Sequence, residues 1–128
     1  RSVYIFIKRS LIPPMLSTHD LADTDSSCAM RFTTTVPTQA LTMLNSKFLN
    51  DQAGVFSGYL HEAAGEDVRQ KIRLALSRVF CREPLKGEID SCVKLVNEFQ
   101  AEDKFSAVQA FKYFCLMALN LNEFVYLD

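Results

Sequence analysis

Four titratable side chains fall within seven residues near the start of this chain: His19, Asp20, Asp23 and Asp25, followed by Ser26, Ser27 and Arg31. Three carboxylates this close repel one another unless a cation or a guanidinium sits among them. A hard cation such as Ca²⁺ takes about six to eight oxygen ligands of this kind. The spacing is not that of an EF-hand loop, and no Gly stands at the turn such a loop needs. A second arrangement is catalytic: Asp20, Asp23, Asp25 and Arg31 would converge on one cleft as a metal-assisted or hydrolase-like site, with a polysaccharide as the substrate class. At least one carboxyl would then have a displaced pKa. The third arrangement is internal and is the one expected. In it, Asp20 and Asp23 accept backbone amides in Asx-turns while Arg31 neutralises one of them.

The residues that follow fit either scheme. Thr33-Thr34-Thr35 could gather hydroxyls for a substrate, but such a run more often approaches a helix, with Thr35 satisfying first-turn amides. Gln39 lies just inside that helix, where it can reach the acidic loop, close over a ligand or face solvent. Lys8, Arg9 and Arg31 could form a small basic patch near the loop. His61, among Glu62 and Glu66, reads as a helix-end histidine favoured by the dipole. No Ser/His/Asp or Cys/His set assembles from neighbouring residues. Cys28, Cys81, Cys92 and Cys115 form neither Cys-x-x-Cys nor Cys-x-x-Cys-His, so no thiol redox motif or covalent haem site is encoded. All four are expected to be reduced, a Cys81–Cys92 bridge being the exception to check. Most Phe and Tyr residues sit at core spacing, apart from Tyr4, Tyr59 and Tyr126.

The elements that must position these residues are mainly helical. Residues 2–7 are β-branched or aromatic at nearly every position, which predicts an extended segment buried on both sides. Pro13-Pro14 ends or turns it. Residues 17–35 lack periodicity and predict a long ordered loop, a length that is uncommon in a compact domain and usually functional or clamped. Pro37 suits the first turn of a helix. Leu41, Leu44, Phe48, Phe56 and Leu60 make a helical stripe, with Asn45-Ser46 as a place where it could divide. Val68, Ile72, Ala75, Leu76 and Val79 mark a helix stopped before Pro84. Ile89, Val93, Val96 and Phe99 mark the next, whose start at Leu85-Lys86-Gly87 offers no capping side-chain oxygen. Ser106 and Gln109 form a capping-box pair, with Phe105 and Ala110 at staple spacing. Phe111 through Leu119 is apolar nearly all round, so this helix should be central. The tail Phe124-Val125-Tyr126-Leu127 reads as extended and could pair with residues 2–7. The expectation is four to five helices packed around residues 106–120, in one domain over 1–128.

Composition narrows the function classes. At 128 residues and 48% hydrophobic, the chain can bury roughly two-thirds of its unfolded surface. A formal charge of −1 gives no field to draw nucleic acid or anionic lipid. No apolar run approaches the ~20 residues of a membrane span. The run Val3–Ile7 is shorter than a signal-peptide core, and the chain starts at Arg1, so any export signal is expected upstream.

Residues at both ends and around the loop carry a family resemblance. Arg1-Ser2-Val3-Tyr4, Pro14-Met15-Leu16, the loop aspartates, Thr33-Thr34-Thr35-Val36-Pro37-Thr38-Gln39-Ala40-Leu41 and Asn122-Glu123-Phe124-Val125-Tyr126-Leu127-Asp128 resemble the C-terminal domain of large planctomycete-type exported proteins. Asp20, Asp23, Arg31, Thr34, Thr35, Pro37 and Gln39-Ala40-Leu41 match its recurring positions. Three positions depart: His19 where an aromatic residue precedes the Asp, Lys47 where Pro is common, and Leu85 where a capping Thr stands. The first departure weakens any scheme with His19 as ligand or base. That domain has no assigned activity, so no catalytic role carries over. The resemblance implies cytochrome c-like modules in the same parent protein, haem in those modules only, upstream domains as partners, and a periplasmic or cell-surface location. The expectation is a non-catalytic packing or interaction module at the C-terminus of a multidomain protein. Ca²⁺ at the loop is the one cofactor this segment itself could take.

Overall fold

A computed structural model describes residues 6, 8–30, 34, 36–101 and 104–125. Seven helices form among them: α1 (Pro14–Thr18), α2 (Pro37–Leu44), α3 (Lys47–Ala64), α4 (Val68–Phe80), α5 (Lys86–Ala101), α6 (Ala107–Ala118) and α7 (Asn122–Val125). No strand forms among the described residues, only an isolated antiparallel bridge between Lys8 and Leu11. The chain divides into two compact units, Arg1–Met43 and Leu44–Asp128.

In the second unit, α6 packs against α3, α4 and α5. Its buried residues are Ala110, Phe111, Phe114, Cys115, Leu116 and Ala118, which makes it the central helix that its all-round apolar sequence predicts. Phe114 and Phe111 meet with ring centroids 5.4 Å apart. Around them lie Leu60 of α3, Ile72, Ala75 and Leu76 of α4, and Val96 of α5, each at most 1% exposed. Burial of a Leu, Ile or Phe side chain contributes about 1.5–3 kcal/mol.

Caps fix where these helices begin. Asn45-Ser46 does divide the long stripe: Ser46 Oγ accepts from the Leu49 amide, and Asn50 Nδ2 donates to the Leu44 carbonyl left open at the end of α2. The break resets the helical phase. Leu41, Leu44 and Phe48 are exposed, Leu60 of the same stripe is buried as expected, and α3 buries Leu49 and Ala53 besides. Gly65 closes α3 at φ 65°, ψ −143°, a conformation open to glycine. Asp67 caps α4 through the Arg69 and Gln70 amides. Helix α5 has a start the sequence reading missed. Glu88, three residues on, reaches back to accept from the Leu85 amide at 2.6 Å, the half of a capping box that needs no polar cap residue. Ser106 and Gln109 make the full box on α6, while the Phe105 and Tyr113 rings meet at a tilt, centroids 4.9 Å apart.

Arg82 ties the α4–α5 turn to α7. Its guanidinium donates to Glu88 at 2.7 and 3.1 Å and to Glu123 at 3.2 Å. Hydrogen bonding to Glu88 first, and to Glu123 next, raises the Arg82 pKa, and the Arg82 contact lowers that of Glu88. This anchor accompanies a correction: Phe124 and Val125, expected extended, lie in α7. Their predicted pairing with residues 2–7 falls mostly outside the described residues. Phe6 is described and is 86% exposed, not buried on both sides.

The four thiols are free. No Cys81–Cys92 bridge forms: Cys81 is exposed in a left-handed cap after α4, and Cys92 is half-buried. Burial raises the Cys92 pKa and pushes that of Cys115 up to about 12.

Candidate functional site

The acidic loop belongs to the first unit, and its local structure comes from short-range polar bonding. Pro13-Pro14 turns the chain into α1. The Ser17 and Thr18 hydroxyls both donate to the Pro14 carbonyl, at 3.0 and 2.8 Å. Two residues expected in the loop therefore end a helix. His19 follows as its C-cap, and its Nδ1 lies 2.8 Å from the Met15 carbonyl oxygen. That oxygen can only accept, so Nδ1 carries the hydrogen.

Asp20 has φ 56°, a left-handed conformation that Asp tolerates better than most residues. This turns its carboxylate across the loop. One oxygen accepts from the Thr34 amide at 2.8 Å, and both accept from the Thr34 hydroxyl at 2.8 and 2.9 Å. The contact closes the stretch between residues 20 and 34. Asp23 makes the expected Asx-turn, with Oδ1 accepting from the Asp25 amide at 3.0 Å and Oδ2 from the Ser26 hydroxyl at 2.9 Å. The Asp25 amide, and then the Ser26 hydroxyl, hold the Asp23 carboxyl below its ordinary pKa. Asp25 turns away from both and takes Arg9 Nε at 2.6 Å. The Thr24 hydroxyl donates to the Arg9 carbonyl at 3.3 Å, so both ends of Arg9 are engaged. The basic partner was expected to be Arg31, which lies outside the described residues, as does Thr35.

Gln39 is the residue whose role the sequence left open. It is 3% exposed and is the one buried residue among those described in Arg1–Met43. Nε2 donates to the carbonyls of Thr18 at 3.2 Å and Thr34 at 3.0 Å. Oε1 accepts from the Val36 amide at 3.4 Å. It thereby gathers the end of α1, the far side of the loop and the entry to α2. The geometry repeats that of Glu88 and Gln109, a third-position side chain returning to the amide just before its helix. An apolar residue before a helix with Gln or Glu at its third position is the sequence signal, and Val36-Pro37-Thr38-Gln39 carries it.

Ser17, Asp20, Leu21, Asp23, Ser26 and Cys28 are among the lining of a cleft of about 650 Å³. Two predicted aspartates thus share a cleft, while Asp25 is paired elsewhere. Among the described residues no three His, Cys, Asp or Glu side chains gather closely enough to hold a metal ion. The described bonds hold the loop in shape.

The family model described as "PSD1: Protein of unknown function (DUF1553)" matches residues 1–96. The chain belongs to this family. The match takes in the whole loop, Gln39 and helices α1 to α4, and runs partway into α5. No curated protein and no solved structure matches the chain. No described helix is long and apolar enough to cross a membrane.

Proposed function

We propose that this DUF1553 chain is a non-catalytic packing module of a larger exported protein, in which it docks against upstream domains in the company of cytochrome c-like modules. A periplasmic or cell-surface setting belongs to the same reading. One observation carries it. Among the described residues of Arg1–Met43 no apolar side chain is buried, while Phe6, Leu11 and Met30 are 86, 72 and 80% exposed. A unit shaped by polar clamps that displays its large apolar residues has the make-up of a surface awaiting cover. The outer face of α3 adds to this, with Phe48, Val55 and Tyr59 exposed at i, i+7 and i+11.

Hydrogen exchange of the parent protein, set against residues 1–128 alone, tests the proposal. Slower exchange around Leu11 and Met30 in the parent, lost on Leu11→Glu plus Met30→Glu, supports it. Equal exchange in the two forms, or polysaccharide turnover by residues 1–128 alone, sinks it. The cleft shared by Asp20 and Asp23 favours a second reading, a metal-assisted hydrolytic site with Ca²⁺ as the cation. Calorimetric titration with Ca²⁺ and Zn²⁺, before and after Asp20→Ala plus Asp23→Ala, separates the two. Absence of heat in the parent chain removes the second.

A further inference from the structure

A second cleft, of about 390 Å³, lies in the helical unit. Gly54, Ser57 and Gly58 of α3 line one side, Val108 and Phe111 of α6 another, and Lys71 of α4 reaches in from the third helix. Lys71 is 7% exposed, and its Nζ sits 5.1 Å from the centre of the Phe111 ring. Among the described residues no carboxylate or carbonyl stands at hydrogen-bonding distance from that ammonium. The stem of Lys71 is buried while its ammonium still reaches solvent, so the charge faces the cleft with no described internal counter-ion beside it and stays open to a ligand.

The glycines make a second, independent point. Gly58 sits in the interior of α3, where glycine weakens a helix relative to alanine. A Cβ placed there would meet nothing within 4 Å, and at Gly54 it would meet only Lys112 Cε, at 3.9 Å. Close helix contact therefore does not account for either. What they do is leave room above Phe111.

We propose that this cleft binds a small organic monocarboxylate. Its anionic end pairs with Lys71 Nζ, and its apolar body lies over Gly58, Val108 and Phe111. The volume falls within the range of small-ligand sites, about 300–1,000 Å³. Among the described lining residues Lys71 is the lysine. At the rim His61 is 3.3 Å from Glu66, and Glu62 stands beside them. A phosphate ester or a dicarboxylate would bring more negative charge against those two glutamates than a single carboxylate does, so the rim disfavours them more.

Phenylacetate titrated into the ¹⁵N-labelled chain tests this, with amide shifts as the readout. Saturable shifts are expected at Gly58, Lys71 and Phe111 and none at residues 19–30. Phenylacetamide, which has the same shape without the charge, should bind ~tenfold more weakly or worse, since it forfeits the charge-assisted contact. Lys71→Met, which keeps the apolar stem, should lose a similar factor, and Gly58→Leu should abolish the shifts by filling the cleft, each with an unchanged circular dichroism spectrum. Two results overturn the proposal. One is no saturable shift with phenylacetate or hexanoate at about 10 mM, well above the ~1 mM dissociation constant of even a weak site. The other is equal binding of phenylacetamide, a comparison that needs no variant to fold.

Discussion

Gln39→Ala is the substitution that bears most directly on how the acidic loop is held. Alanine is the best helix former, so α2 itself loses nothing through propensity. What disappears are the two bonds from Nε2 to the Thr18 and Thr34 carbonyls and the longer contact to the Val36 amide. A buried polar group stranded by loss of its partner costs about 1–3 kcal/mol. Val36 is 40% exposed, so water replaces the 3.4 Å contact readily and it is left out of the sum. Thr34 is exposed as Val36 is, so the half-buried Thr18 carbonyl sets the cost, about 1–3 kcal/mol against the closed loop. At 1.4 kcal/mol per factor of ten, the locally opened population rises roughly 5- to 140-fold. Native-state hydrogen exchange reads this at the Thr34 amide, which is protected by its bond to Asp20. Amides around Phe114, in the other unit, should not change. Gln39→Glu sharpens the test, because a carboxylate cannot donate to either carbonyl and faces both with negative charge. It should open the loop at least as far at pH 7 and recover in part in acid, where the protonated carboxyl can donate to one carbonyl. If Gln39→Ala alters Thr34 exchange less than about threefold, the clamp is not what closes the loop.

Three further outcomes are expected. Phe114 is fully buried, so Phe114→Ala should cost about 3–5 kcal/mol in chemical denaturation of the helical unit, while Val108→Ala, at a site 76% exposed, should stay within about 0.5 kcal/mol. The Asp23 carboxyl has its pKa lowered in the folded loop from the ordinary 3.8. Its turn therefore contributes in full above that value and loses its contribution as pH falls through the lower folded value; the Asp25 amide shift should follow this titration, and Asp23→Asn should remove it. Iodoacetamide at pH 8 should modify the exposed Cys28 and Cys81 promptly and leave Cys115 untouched until the chain unfolds, as its buried thiol stays protonated to about 12.

The helical unit was legible because its signals are periodic and local. Ile72, Ala75, Leu76 and Val79 stand at core spacing and are buried, Pro84 follows the end of their helix, and Ser106 and Gln109 announce α6. What escaped is what periodicity cannot carry. Lys71 lies three residues past Val68 and four before Ala75, squarely in the α4 stripe, yet its type reads as surface. Phe124 and Val125 look extended by propensity, but the bonds from their amides to the Leu121 carbonyl make a short helix, with Glu123 beside Arg82. In the loop, proximity in sequence gave the Asx-turn at Asp23. The pairings of Arg9 with Asp25 and of Asp20 with Thr34 span sixteen and fourteen residues, with no pattern to point to them.

This contrast has a physical consequence for the loop. Apolar burial is non-directional and tolerates small shifts, whereas a hydrogen bond weakens steeply once its angle fails. The helical unit can therefore lose one methyl group and stay folded. The loop depends on a few bonds meeting at Asp20, Thr34 and Gln39, so it should open as one piece when any of them goes. Such a device fixes shape without supplying much stability of its own. A surface built this way gains most from being covered, because a partner seated on Leu11 and Met30 would add the apolar burial that the described part of this unit lacks. If covering those residues left the Thr34 amide exchanging as before, clamp and surface would be independent, and the docking reading would lose its physical basis.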